Sequence, residues 1–297
     1  MMNDFFMKTI VFACFAAILS LSGCAVMDKN TPAWSQYRTP DQTHELRLAS
    51  SSTGTGEPVL LIHGFGASSY SWRHIVAPLA EKYRVITIDL KGFGDSPKPQ
   101  DDHYSVYEQA RLVRNFIVEN DLKNLHIVGH SYGGGVALAV SIYLAASHPD
   151  VQKSLVLMDN IAYPQELPGF VKVLATPILG PLLIHTLPNT FQVKDLLKKV
   201  YFNDDLIPQS AIDHYAANLA KPNAKYATLT TARQILPPDL QEFSNNYPNL
   251  KIPTLIIWSQ EDEIVPLAVG KRLHENLPNS RFVVLSDVGH AVQEEKP

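Results

Sequence analysis

Two hydrophobic patterns alternate along most of the chain. Short, continuous apolar runs occupy residues 59–62, 84–88, 125–128, 154–158, 254–258 and 281–285, and each suits a strand buried on both faces. Between them, apolar positions recur every three or four residues over 70–81, 106–120 and 267–277, and a small-residue stretch runs from 131 to 143; these predict helices. Strand and helix repeated in this way predict an α/β fold, a mostly parallel sheet with helices on both faces. Residues 43–49 are expected to add an edge strand, ended by the Ser/Thr/Gly run at 50–56.

The rhythm breaks after residue 159. From 160 to 249 no segment reads as a sheet strand, and prolines recur from Pro164 to Pro248 around short amphipathic pieces such as 193–201 and 209–219. None is long enough to stand alone, and a structureless loop of this length is uncommon in a compact domain. The segment is therefore expected to form a helical cap inserted between a first part of the core, 42–159, and a second, 250–297. Apolar cap residues such as Phe170, Leu174, Leu179, Leu182 and Phe191 are expected to set substrate size. Only 297 − 290 = 7 residues follow His290, which leaves the face beside the last strand without a predicted covering helix.

The N-terminus is patterned differently. Lys8 precedes an apolar run at 9–21, followed by Ser22, Gly23 and Cys24. The run is too short to span a bilayer and reads as a secretory signal. The ending Leu21-Ser22-Gly23-Cys24 resembles the bacterial lipoprotein signal, which implies removal of residues 1–23 and acylation of Cys24. Residues 24–41, polar and containing Pro32 and Pro40, then read as a tether between lipid and domain. By resemblance to lipoprotein sorting in Gram-negative bacteria, Ala25 in place of aspartate after the cysteine implies a lipid-anchored protein of the cell envelope, at the outer membrane. Cys14 departs with the signal, so no disulfide is expected.

Composition changes the picture little. With 297 residues and 45% hydrophobic positions the chain has enough apolar surface for one large core. The formal net charge of -4, without a basic stripe, argues against a nucleic-acid partner.

The candidate chemistry starts at residues 125–143, LHIVGHSYGGGVALAVSIY, where a strand runs directly into a helix through Gly129-His130-Ser131-Tyr132-Gly133. Glycines on both sides of Ser131 allow the close backbone approach that a sharp strand-to-helix elbow needs, and the elbow aims the serine hydroxyl outward. A serine needs a base, and the base a carboxylate to hold its tautomer. Parallel strands put their carboxyl ends on one edge of the sheet. His290, in the loop after the last strand, is the candidate base there, and Asp262, after the 254–258 strand, the first choice of acid. Glu261, Glu263, Asp287 and Asp159 compete with it. The order Ser, Asp, His agrees with a known triad arrangement. The amides of Tyr132, at the helix start, and Phe65, in His63-Gly64-Phe65-Gly66 after the first regular strand, are candidate donors to an oxyanion.

Taken together, HGFGAS at 63–68, DLKGFGDS at 89–96, GHSYGG at 129–134, Asp262 in WSQEDEIVP and His290 in GH resemble the α/β-hydrolase superfamily, on the branch with an inserted cap. The resemblance runs from about residue 59 to residue 290. It implies Ser131 as nucleophile, Asp262 orienting His290, Phe65 and Tyr132 as oxyanion donors, and a structural turn at Asp89 and Asp95. Serine rather than aspartate at the elbow argues against haloalkane dehalogenases and epoxide hydrolases. The expected function is hydrolysis of small or medium apolar carboxylic esters, with no metal or organic cofactor. Alternatives are carbon–carbon bond hydrolysis of the meta-cleavage-product type, where Trp often stands in place of Ala291, and thioesterase or aminopeptidase activity. The rival from another class is a membrane-tethered binding protein with a dead site.

Overall fold

The computed structural model describes Trp34 and residues 46–297. The signal segment 1–23, Cys24 and all of the 24–41 tether except Trp34 lie outside the described residues. Seven strands form one sheet: β1 (Ser50–Thr53), β2 (Pro58–Ile62), β3 (Arg84–Ile88), β4 (Leu125–His130), β5 (Gln152–Met158), β6 (Thr254–Ser259) and β7 (Ser280–Leu285). Their order is β1-β3-β2-β4-β5-β6-β7, parallel throughout except for β1, which pairs antiparallel with β3. Helices alternate with the strands: α1 (Val76–Ala80), α2 (Val106–Glu119) and α3 (Ser131–Ser147) precede β5.

Between β5 and β6 come six helices, α4 (Gly169–Ala175), α5 (Leu179–Thr186), α6 (Asn189–Val200), α7 (Gln209–Ala220), α8 (Ala224–Gln234) and α9 (Leu240–Ser244). Several begin directly after proline, at Pro168, Pro188 and Pro208, so the prolines that disrupt the sequence pattern start helices where a missing N–H costs nothing. α10 (Leu267–Asn276) follows β6, and α11 (Val292–Glu295) follows His290.

The strand order creates the site. The chain steps outward from β2 to β3, then returns to place β4 on the other side of β2, with Ile62 beside Gly129. At such a reversal the loops leaving the two strands diverge and open a crevice at their carboxyl ends. Gly64 to Gly66 and Ser131 border this crevice. The core beneath is apolar: Leu60, Ile62, Ile127, Leu155, Leu157 and Ile256 are fully buried.

Three expectations need correction. The edge strand is Ser50–Thr53, later than 43–49; all four residues are exposed and held by backbone pairing to β3, so no hydrophobic alternation marks them. The helix expected at 70–81 is broken into a 3₁₀ turn, Ser69–Trp72, and the five-residue α1, with Trp72 buried between. Trp34, inside the expected tether, is buried: its ring meets Phe243 edge-on at 5.7 Å, and its amide donates to Asp239 Oδ2 at 3.3 Å. The chain is docked on the domain at that point.

Candidate active site

Ser131 is the first residue of α3, directly after β4, and its φ of 54° lies in the left-handed region that non-glycine residues avoid. Packing holds it there. A methyl group at Gly129 would come within 2.6 Å of the Gly133 carbonyl oxygen, and one at Gly133 would overlap the His63 carbonyl oxygen. Strand, helix and the β2 exit loop thus pack at backbone contact, which leaves the Ser131 side chain one way out.

Three distant side chains meet at that exit. Ser131 Oγ donates to His290 Nε2 at 2.7 Å, and His290 Nδ1 donates to Asp262 Oδ2 at 2.8 Å. Asp262 Oδ1 accepts the amides of Ile264 (2.7 Å) and Val265 (3.0 Å), so the acid caps its own turn. Trp258 Nε1 donates to the Val265 carbonyl at 3.1 Å and pins that turn to β6. All three site residues are buried. Burial alone would lower the His290 pKa, but the charge and hydrogen bond of Asp262, with the charge of Asp159, raise it above the ordinary imidazole value.

The competing carboxylates are placed elsewhere. Asp159, at the end of β5, accepts Ser259 N at 2.7 Å and Ser259 Oγ at 2.8 Å and does not reach the imidazole ring. Burial and the nearby Asp262 carboxylate raise its pKa. Glu263 and Asp287 are exposed. Asp89 accepts Ser69 N and Asp95 N at 2.6 and 2.7 Å, closing the turn after β3.

His130 does not act on Ser131 but on the backbone of His290: its Nε2 donates to the His290 carbonyl at 2.7 Å, and its Nδ1 accepts from Gln293 Nε2 at 3.4 Å. Burial first, then the neighbouring His290, pushes its pKa down to about 3, so the ring stays neutral and keeps one donor and one acceptor.

Tyr132 is the second residue of α3, where a helical amide has no partner within the helix. Its own side chain is turned into the core, with the hydroxyl donating to the Tyr104 carbonyl at 2.9 Å. Phe65 lines the cavity beside Ser131. That cavity measures about 110 Å³ and is walled by apolar side chains including Ile161, Phe170, Leu197 and Ile264.

Of the cap residues singled out in the sequence, Phe170, Leu174 and Phe191 line cavities, whereas Leu179 and Leu182 are exposed and line neither. The main cap walls, Val193, Leu196 and Tyr215, come from α6 and α7. The spacing of Val193, Leu196, Leu197 and Val200 signals an apolar helix face, though not what it faces. The sequence reading also missed Glu294, a buried carboxylate at the cavity that accepts Tyr215 OH and Tyr201 OH at 2.8 and 3.0 Å and pairs with Arg73 at 2.5 Å. Among the described residues no group of three or more His, Cys, Asp and Glu side chains is placed to hold a metal ion.

A sequence-family profile described as "alpha/beta hydrolase fold" matches residues 57–297. Lipase 1 of Psychrobacter immobilis is 30% identical, over 93% of this chain and 90% of its own. The thermophilic esterase of Thermogutta terrifontis superposes with a TM-score of 0.71 at 25% identity, covering 88% of this chain and 92% of that one. A meta-cleavage product hydrolase from Pseudomonas fluorescens IP01 superposes with a TM-score of 0.68 at 24% identity, over 83% and 88%, and so shares the fold.

Proposed function

Because the chain belongs to the α/β-hydrolase fold family, we propose that it hydrolyses carboxylic esters through an acyl-enzyme on Ser131. The observation that carries this reading is the hydrogen-bonded line from Ser131 Oγ through His290 to Asp262, beside an apolar cavity. The names of Lipase 1 and of the Thermogutta esterase agree with it.

In this mechanism Ser131 Oγ attacks the ester carbonyl carbon while His290 Nε2 takes its proton. In the same mechanism the amides of Phe65 and Tyr132 receive the anionic oxygen, whose charge appears only after attack. As the bond to the alcohol oxygen breaks, His290 returns the proton to that oxygen. Water then attacks the acyl carbon, giving its proton to His290, and Ser131 recovers it as the acid departs. Asp262 accepts the His290 Nδ1 hydrogen bond and steadies the imidazolium.

A fluorophosphonate probe should label Ser131 stoichiometrically, and p-nitrophenyl butyrate turnover should vanish in Ser131→Ala. Absence of both labelling and turnover in the intact protein defeats the reading. Thioesters, peptide amides and meta-cleavage products assayed in parallel identify the bond class.

We infer that Cys24 carries the lipid anchor of a cell-envelope protein, on the Leu21-Ser22-Gly23-Cys24 pattern. Trp34 is docked on the domain only 34 − 24 = 10 residues later, a span of at most roughly 35 Å. The domain would then stay close to the bilayer. Palmitate labelling that persists in Cys24→Ala contradicts the anchor.

A further inference from the structure

The cavity beside Ser131 measures about 110 Å³. A second cavity of about 500 Å³ adjoins it, and Phe65, Gly66, Phe170, Val193, Leu196 and Tyr215 line both. Beyond that shared wall the larger space is bounded by the apolar side chains of Val173, Leu174, Leu183, Ile184, Leu187 and Leu219.

Polar side chains line it too, and most of their hydrogen-bond donors are engaged within the protein. Lys98 Nζ donates to the carbonyls of Gly94 and Ser96, and Gln192 Nε2 to those of Ile184 and Leu187. Lys199 pairs with Asp195, Asn218 bonds Ser68 and Lys221, and Thr228 Oγ1 donates to the Ala224 carbonyl. What remains for a ligand is mainly apolar contact, which fits a hydrocarbon.

Ser131 and His290 both line the small cavity and neither lines the large one, so the ester bond is broken in the small cavity. In the proposed mechanism the acyl oxygen is the one the Phe65 amide receives, and Phe65 lines both cavities, which puts the acyl branch at the entrance to the large one. We propose that the 500 Å³ chamber binds the long acyl chain of the substrate, so that the enzyme acts on long-chain acyl esters of small alcohols. This rests on the ester-hydrolase reading above.

The test uses full-length protein with p-nitrophenyl butyrate, p-nitrophenyl laurate, methyl laurate and dodecyl acetate, each below its micelle threshold. Each methylene buried in the chamber is expected to raise kcat/KM by up to roughly fourfold, so laurate should exceed butyrate by about tenfold or more. Methyl laurate should be preferred to dodecyl acetate. Leu183→Trp, at a wall of the large chamber only, should cut laurate turnover by about tenfold and leave butyrate within about twofold. Leu187→Trp, at another point of that wall, serves if the first variant does not fold. Preference for dodecyl acetate, equal loss on both p-nitrophenyl esters, or no loss on laurate in the folded variant overturns the chamber assignment while ester hydrolysis stands. Loss of all ester turnover in the unmodified protein overturns the ester reading itself.

Discussion

Glu294 of α11 accepts a hydrogen bond from the Tyr215 hydroxyl of α7 at 2.8 Å, joining the segment behind His290 to the cap. The same carboxylate pairs with Arg73 from the core, and the next residue, Glu295, accepts the amides of Phe202 and Gly289 at 2.9 Å. The loop that carries His290 and the roof of the cavities are thus held by one short helix.

Removing the Glu294 carboxylate should therefore loosen the cap and strand a mostly buried guanidinium. Glu294→Ala is expected to cost about 3 kcal/mol of stability, with a raised KM because Tyr215 lines both cavities. Glu294→Gln, which keeps an acceptor oxygen, should cost less. Denaturant titration beside steady-state kinetics checks both, and equal stability of Glu294→Ala and the parent contradicts the latch.

In the proposed mechanism the pH profile follows from His290, which can take the serine proton only when neutral. Burial opposes the charged form, but Asp262 and Asp159 outweigh it and raise the pKa above the ordinary 6.5. Activity is therefore full on the alkaline side and lost as pH falls through that raised value, with the midpoint of kcat/KM above pH 6.5. Asp262→Asn should move the midpoint down and lower kcat by about 10⁴. A parent midpoint below 6.5 is incompatible with this arrangement.

Asp159 acts on the β6 loop and not on the imidazole ring hydrogen bond. Asp159→Ala leaves the Ser259 amide without its partner and is expected to cost about 1–3 kcal/mol. Its effect on kcat should be far smaller than that of Asp262→Ala. Rate losses of equal size in the two variants would make Asp159 a second orienting acid.

Gly133 is set by contact rather than by chemistry. In Gly133→Ala the new methyl meets the His63 carbonyl oxygen, a backbone atom that cannot swing aside. A stability loss of roughly 3 kcal/mol is expected, read as a lower Tm with loss of Ser131 labelling. Normal labelling and Tm would falsify the close-packed elbow.

Much of the core was legible because its signals are local. Buried parallel strands such as Leu125–His130 need apolar residues on both faces, and an elbow needs small residues at fixed offsets from its apex. The exposed edge strand Ser50–Thr53 was not legible, because backbone pairing alone holds it and any polar residue satisfies that. The break between Trp72 and Val76 escaped notice because apolar periodicity continues through it.

The sequence by itself determined the alternation of strands and helices, the elbow at Ser131 and the loop positions from which a histidine and a carboxylate could reach it. Only the tertiary structure decided that Asp262 and not Asp159 bonds His290, that Leu196 and not Leu182 faces a cavity, and that Trp34 is docked. The reason is one of range. Strand and helix patterns are written into neighbouring residues, whereas a hydrogen bond across the sheet edge, or a helix face turned inward, depends on how distant segments pack, and many sequences with the same local pattern could pack otherwise.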